Sequence, residues 1–387
     1  MTFSDPSPED DHAAGGQASA TARAALDLSD VDDLIAERPR VLLVGLGKAG
    51  GRFLRSLRYL EETFSALELA GVCDTDGLRF GQLQGSSTQC FTDLRTALEE
   101  TAPDVVCVCI NEVGHYDALA VIAEFPSVRA VLSEKPLTET LAQCEAVIDR
   151  LGDRLICVNF VERYSPVVEQ FREWSVFHDA QVLRVEFHWG KYRFMDPRPT
   201  MGVLSEISHP VDLVRILIGA RPDAMFTVRA ASGSRSRFSV VDRALLDTVD
   251  VAYTVDGVPV RGHSSFLWEG RDRRIVLYGR TSLAGALFQA VLAFDRPSWD
   301  CDSLRVTRVD ESTGAREEVF ASHCDRDDFP RDLKHIFKVT RFCAVALRAL
   351  YQPEYAEQLA LAEDAWWTQR AIDAFSEAIG GGDAIGF

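Results

Sequence analysis

Arg40-Val41-Leu42-Leu43-Val44-Gly45-Leu46-Gly47-Lys48-Ala49-Gly50 decides how this chain folds. Val41 to Val44 is an unbroken apolar run, the mark of a strand buried on both faces, and it runs straight into glycines. The pattern then alternates. A helix near 49–63 is followed by a strand at 67–73, a helix near 77–83, a strand at 104–110 and a helix near 115–124. A strand at 129–132, a helix near 138–151 and a strand at 154–158 complete the series. Strands alternating with helices imply right-handed βαβ units and a parallel sheet covered by helices. This predicts a first domain over 39–158.

Downstream the period changes. After a helical stretch near 165–175, Val182, Arg184, Glu186 and His188 alternate with Leu183, Val185, Phe187 and Trp189, which describes a half-exposed antiparallel strand. Similar runs are read at 224–231 and 247–254, a turn at Val255-Asp256-Gly257, then strands at 258–267, 273–278, 304–309 and 316–320. One helix near 202–218 interrupts them, and helices near 330–350 and 354–378 close the chain. The second domain, 159–387, is thus expected to be α+β with a mainly antiparallel sheet.

Composition agrees with two folded domains. A length of 387 residues exceeds one ordinary core of about 100–200 residues. With 41 Lys+Arg against 59 Asp+Glu the net charge is −18, which disfavours nucleic-acid and membrane-surface partners. Residues 1–38 hold nine of the acids and two bases, without apolar periodicity, and are expected to be a disordered acidic tail. No apolar run exceeds six residues, the length of Val105 to Ile110, far short of a membrane span. The first residues lack a basic flank and apolar core, so a cytoplasmic location is expected. Nine cysteines without CxxC spacing, and His12, His178, His323 and His335 without partners at ligand spacing, argue against a disulfide framework or a metal site.

Gly45, Leu46, Gly47, Lys48, Ala49 and Gly50 form a GxGxxG between a strand and a helix, with Asp74 at the end of the second strand. In a dinucleotide site the glycines admit a pyrophosphate to the helix amides, and the acid accepts from a ribose 2′-hydroxyl. An acid there would repel a 2′-phosphate, so NAD is expected over NADP, with Arg79 as a softening influence. Ser133-Glu134-Lys135-Pro136 sits at the carboxyl end of a parallel strand, where Lys135 can stabilise a developing alkoxide. In Glu206-Ile207-Ser208-His209-Pro210-Val211-Asp212, helical geometry keeps Glu206, His209 and Asp212 within an arc of about 120°. Pro210 should start or kink that helix. Lys191, Tyr192 and Arg198 offer donors from the loop after the first antiparallel strand, with solvated loop charges as the competing reading.

The order GxGxxG, Asp74, Asn111 and His115, Glu134-Lys135-Pro136, then Asn159 to Tyr164 resembles the glucose-fructose oxidoreductase / inositol dehydrogenase / MocA (Gfo/Idh/MocA) family. The resemblance implies a fold class of α/β, an N-terminal Rossmann domain plus a C-terminal α+β domain with an open antiparallel sheet. It assigns Lys135 and His209 as catalytic, and Glu206, Asp212, Tyr164, Lys191, Tyr192 and Arg198 to the substrate. Asn111, His115, Glu134 and Asn159 join the glycines and Asp74 around an NAD cofactor, and the Lys135–Pro136 bond is often cis in that family. Ser205 departs from the family, where many members carry Asp, and Asn111-Glu112 stands where Thr-Pro is common. The implied activity is hydride transfer between a nicotinamide and a secondary alcohol or ketone of a sugar, cyclitol or nucleotide-sugar-like substrate, in a homo-oligomer (dimer or tetramer). An imine or ketone reductase is one alternative, and a non-catalytic NAD-binding regulator is another.

Overall fold

The computed structural model describes residues 38–83, 88–193, 201–235, 245–282, 286–324 and 329–380. The expected tail, apart from Arg38, lies outside them, as does Arg198. The first sheet has six parallel strands in the order β3-β2-β1-β4-β5-β6. They are β1 (Arg40–Val44), β2 (Glu68–Cys73), β3 (Gln89–Phe91), β4 (Val105–Val108), β5 (Ala130–Glu134) and β6 (Leu155–Asn159). Residues Val41 to Val44 and Val105 to Val108 are buried, since helices cover both sheet faces. Helix α1 (Lys48–Phe64) presents Phe53, Leu54, Leu57, Leu60 and Phe64 to the sheet at helical spacing. Helices α2 (Leu94–Thr101), α3 (His115–Ile122) and α4 (Leu141–Leu151) complete the layers, with Asp93 and Thr140 capping α2 and α4. The helix read near 77–83 is present as a 3-10 helix, Gly77–Leu83. The three-residue β3 is too short to show a period.

The second sheet has eight strands in the order β14-β13-β12-β11-β7-β10-β9-β8. These are β7 (Ala180–Tyr192), β8 (Phe226–Ser234), β9 (Thr248–Val255), β10 (Val258–Ser265), β11 (Leu267–Thr281), β12 (Leu287–Phe294), β13 (Asp302–Val309) and β14 (Arg316–Cys324). All pairs are antiparallel except β7 with β10. Asp256 and Gly257, both at positive φ, close the tight turn between β9 and β10. Strand β12 escapes sequence reading because both of its registers are apolar: Leu287, Val291 and Ala293 on one, Phe288, Ala290, Leu292 and Phe294 on the other. Helices α5 (Pro166–Phe177) and α6 (Val203–Leu217) pack on one face of the sheet. Pro210 lies inside α6, which runs through it rather than starting there.

The two closing helices do not both stay with the second sheet alone, although Trp367, Ala371, Ile372 and Phe375 of the last one join its core. Helix α7 (Phe337–Ala349) packs on α1, with Phe342 against Phe53 at 6.0 Å between ring centres and Thr340 Oγ1 2.9 Å from Ser56 Oγ. Helix α8 (Ala362–Gly380) bridges the domains: Asp373 accepts from the Leu141 N–H at 2.8 Å, and Trp367 donates to the Ala224 carbonyl at 3.0 Å. The chain beyond residue 159 therefore builds one sheet domain and also completes the first domain's core.

Two buried ionic clusters fix this junction. Arg163 holds Asp212 through Nε at 2.6 Å and Nη2 at 2.5 Å, and lies 3.2 Å from Asp364, which also receives Arg215. Lys338 of α7 sits among Glu162, Asp295 (3.0 Å), Asp300 (3.4 Å) and Asp302 (3.1 Å). Burial opposes its charge, but those four carboxylates hold the ammonium pKa well above the ordinary lysine value.

Candidate active site

Gly45, Asp74, Asn111, Glu134, Lys135 and Asn159 all lie at the carboxyl ends of β1, β2, β4, β5 and β6, the edge where open parallel sheets receive ligands. Gly45 has φ +96°, and a Cβ there would stand 2.7 Å from the Cys109 carbonyl oxygen. A Cβ at Gly50 would fall 1.8 Å from the Gly45 oxygen. Both glycines are required by the turn itself. Gly47 differs: a Cβ would have only the Arg79 guanidinium within 4 Å, at 3.4 Å. Gly47 also caps α1 without a side-chain partner for the first helical amides, while Lys48 is exposed and Ala49 half-buried beside it. The opening over Gly47 and the free turn fit a pyrophosphate.

Asp74 is tied in place. Its Oδ2 accepts from the Leu46 N–H at 2.6 Å and from Arg79 Nη1 at 3.3 Å, and its Oδ1 accepts from the Asp76 N–H at 2.9 Å. Asn111 opens a short 3-10 turn and accepts from the Val113 N–H at 3.1 Å. Glu134 accepts from Asn159 Nδ2 at 2.9 Å and has Arg52 at 3.9 Å. Asn159 Oδ1 is buried without a hydrogen-bond partner, an acceptor available to a dinucleotide at this edge.

The Lys135–Pro136 bond is cis. Lys135 Nζ donates to the Ser205 carbonyl at 3.0 Å and to Ser205 Oγ at 3.3 Å, and lies 3.7 Å from Glu206 Oε2. The serine at the family's departure point is thus a direct partner of the lysine. Glu206 Oε2 also receives Lys191, and its Oε1 accepts from Trp189 Nε1 at 3.2 Å and Arg273 Nη2 at 2.6 Å. Burial alone would raise the Glu206 carboxyl, but Lys191, Arg273 and Lys135 hold it well below the usual carboxylate range. Burial pushes Lys191 well below the ordinary lysine value against the pull of Glu206. His209, on the same helix, has its ring 6.1 Å from that of Trp189, and its Nδ1 is buried without a partner. Burial, reinforced by Lys135, depresses its pKa well below 6.5, so the imidazole is neutral at pH 7.

The remaining sequence candidates fall elsewhere. Asp212, one turn beyond His209, is turned to Arg163, which also pairs with Asp364, rather than to Lys135. Tyr164 is 3% exposed, packs on Phe342 at 5.1 Å and accepts from the Ala360 N–H at 3.5 Å, all within the domain junction. His115 is fully buried, with Nδ1 2.9 Å from the Pro136 carbonyl and Nε2 3.3 Å from that of Ile110, so it braces the Lys135 turn from behind. Tyr192 is exposed at the end of β7. Sequence reading missed Arg273 and gave Trp189 no role. The readable signal for Arg273 was a cation in phase with the apolar Ile275 and Leu277 of one strand.

A buried neutral histidine ties stability to pH. Above about 6.5 the ring is neutral in the folded and unfolded chain alike, and the linkage costs nothing. As pH falls through 6.5 the unfolded chain takes up a proton that the folded chain refuses, so stability drops by up to about 1.4 kcal/mol per pH unit until the folded pKa is reached. In denaturant titrations between about pH 6.5 and 5, His209→Gln should therefore lose stability less steeply than the wild type. Identical slopes would mean that the ring is solvated and titrates normally.

Residues 39–159 match the model of the oxidoreductase family with NAD-binding Rossmann fold, Gfo/Idh/MocA. Inositol 2-dehydrogenase of Salmonella typhimurium is 28% identical over 132 residues, which is 32% of this chain and 37% of that protein. The match thus spans little more than a third of that relative's length. Levoglucosan dehydrogenase, solved in complex with NADH and levoglucosan, shares the fold with a TM-score of 0.69 at 16% identity, over 89% of this chain and 98% of its own. The transcriptional regulator Gal80p from Kluyveromyces lactis shares it equally, with a TM-score of 0.69 at 14% identity over 89% and 93% of the two chains. Residues 39–159, which form the strand-and-glycine edge described above, thus match the NAD-binding Rossmann fold of the Gfo/Idh/MocA oxidoreductase family.

Proposed function

We propose that the protein is an NAD-dependent oxidoreductase acting on a secondary alcohol or ketone of a sugar, cyclitol or nucleotide-sugar-like substrate. The observation that carries this reading is the convergence of Lys135, Glu206 and a neutral His209 beside the glycine edge. A nicotinamide dinucleotide, when bound, supplies the two-electron acceptor or donor. Gly47 and the first turn of α1 would hold its pyrophosphate, Asp74 its ribose, and Asn159 and Glu134 its inner end. In the oxidation direction Lys135 Nζ donates to the substrate hydroxyl oxygen and stabilises the alkoxide, while His209 takes the hydroxyl proton on its ring. In reduction the protonated ring returns that proton to the same oxygen. Glu206 balances the lysine charges, with Trp189 and Arg273 on one oxygen and Lys191 on the other.

NAD rather than NADP follows from Asp74, whose charge is only partly offset by Arg79, 45% exposed at 3.3 Å. Titration of the full chain with NADH and NADPH tests this: NADH should bind at least about tenfold tighter. Gly47→Ala should keep the melting temperature within a few degrees yet weaken NADH binding at least about tenfold, since its methyl meets no backbone. Equal affinity in wild type and Gly47→Ala would contradict the placement. A substrate panel of cyclitols, sugars, nucleotide sugars and cyclic imines then identifies the class. The shared fold of Gal80p supports one rival reading, a binding protein without turnover, which hydride transfer to any panel member would eliminate.

The same proposal includes a second copy of this chain on the open sheet face. That face carries both signs, Glu186 and Asp250 beside Arg261 and Arg274, as a self-complementary two-fold contact needs. Light scattering should give a dimer or tetramer, and a monomer at micromolar concentration would oppose it. No helix among the described residues is long and apolar enough to cross a membrane. We place the protein in the cytoplasm, where cysteines without a pairing pattern are at home.

A further inference from the structure

Arg273 lies on β11 in phase with Ile275 and Leu277, so its side chain enters the helix-covered face of the sheet and only 4% of it is exposed. Nη2 donates to Glu206 Oε1 at 2.6 Å. Nη1 donates to Glu162 Oε1 at 2.7 Å and to Asp295 Oδ2 at 2.9 Å. Asp295 is itself fixed by Lys338 at 3.0 Å and Arg271 at 3.2 Å. The Trp189 ring, 5.2 Å from the guanidinium carbon, donates its N–H to the same Glu206 oxygen. One oxygen of Glu206 thus faces the interior, and the other is shared by Lys135 and Lys191.

We propose that Arg273 is a positioning residue: from the buried side it pins Glu206, and so fixes the carboxylate oxygen on which the two site lysines converge. A planar fork that spans two sets of acids can do this, because its donors leave two separate nitrogens in fixed directions, whereas a lysine presents all of its donors from one nitrogen. The inference rests on the reading of Lys135 and His209 as the proton-handling pair. Its test does not require turnover.

The test follows the His209 ring by NMR titration in the full chain, with its resonance assigned by its loss in His209→Gln. Besides burial, the groups that act on that ring are Lys135, Glu206, Arg273 and Lys191. Arg273→Met removes a cation and should move the ring's titration about 1 pH unit higher, while Glu206→Gln removes the anion and should move it lower. Arg273→Lys keeps the charge and should stay within about 0.3 pH unit of the wild type. Where a substrate has been found, Arg273→Lys should still slow kcat about tenfold, since the fork is lost. General loosening would instead raise the titration in all three variants by admitting water. That result, or an unmoved ring in Arg273→Met, would overturn the proposal. If Arg273→Met does not fold, Arg273→Lys and Glu206→Gln decide alone: the first must hold the wild-type titration and the second must lower it. A wild-type chain that binds no NADH would sink the oxidoreductase reading and leave this titration to judge Arg273 separately.

Discussion

Lys135→Met should slow turnover by about 10²- to 10³-fold while leaving NADH affinity within about twofold. The ammonium is held by the Ser205 carbonyl and hydroxyl at 3.0 and 3.3 Å, with Glu206 at 3.7 Å, so it is aimed before substrate arrives and needs no reorganisation. Its side chain is 11% exposed, and in so dry a position a charge acts on a developing alkoxide far more strongly than in water. Methionine keeps much of the stem's volume and removes the charge, so the loss should fall on kcat rather than on folding. Steady-state kinetics with the substrate found by panel, beside NADH titration, measures both. Unchanged kcat would remove Lys135 from the mechanism.

Gly50→Ala should abolish measurable NADH binding and cost about 1–3 kcal/mol of stability. The added methyl would sit 1.8 Å from the Gly45 oxygen, a backbone atom in a turn whose Gly45 N–H is held by the Cys73 carbonyl at 2.7 Å. The strand end and the start of α1 must then separate, which moves the amides that face the pyrophosphate. Gly47→Ala provides the contrast, since its methyl meets only the Arg79 guanidinium, at 3.4 Å, and no backbone. A fall in Tm for Gly50→Ala but not for Gly47→Ala, with NADH binding lost in the first and weakened in the second, would distinguish the packing glycine from the ligand-facing one. Wild-type binding in Gly50→Ala would contradict the turn geometry.

What could be read from the sequence was local. The run Val41 to Val44 into GxGxxG, the strand-end Lys135 and the helix bearing Glu206 and His209 each lie within a dozen residues, and the structure brings these pieces to one edge. Partners distant in sequence were not legible. Asp212 shares a helix face with His209, yet Arg163, 49 positions away, draws it into the domain junction. His115 follows β4 as a ligand would, but the Pro136 carbonyl, 21 positions on, takes its ring. Arg273 meets Glu206 across 67 positions. The packing of α7 back onto α1 was hidden for the same reason, because amphipathic spacing shows that a helix has an apolar face and not which core receives it.

The central claim, that this edge moves hydride under the control of Lys135 and His209, is tested most directly with NADH carrying deuterium at nicotinamide C4. Wild-type protein incubated with oxo-sugars and oxo-cyclitols should place deuterium on the carbinol carbon of one product, and Lys135→Met and His209→Gln should reduce that transfer by at least about 10²-fold. NADH that binds tightly yet delivers no label to any carbonyl or imine would contradict the account and leave a cofactor-binding protein without turnover.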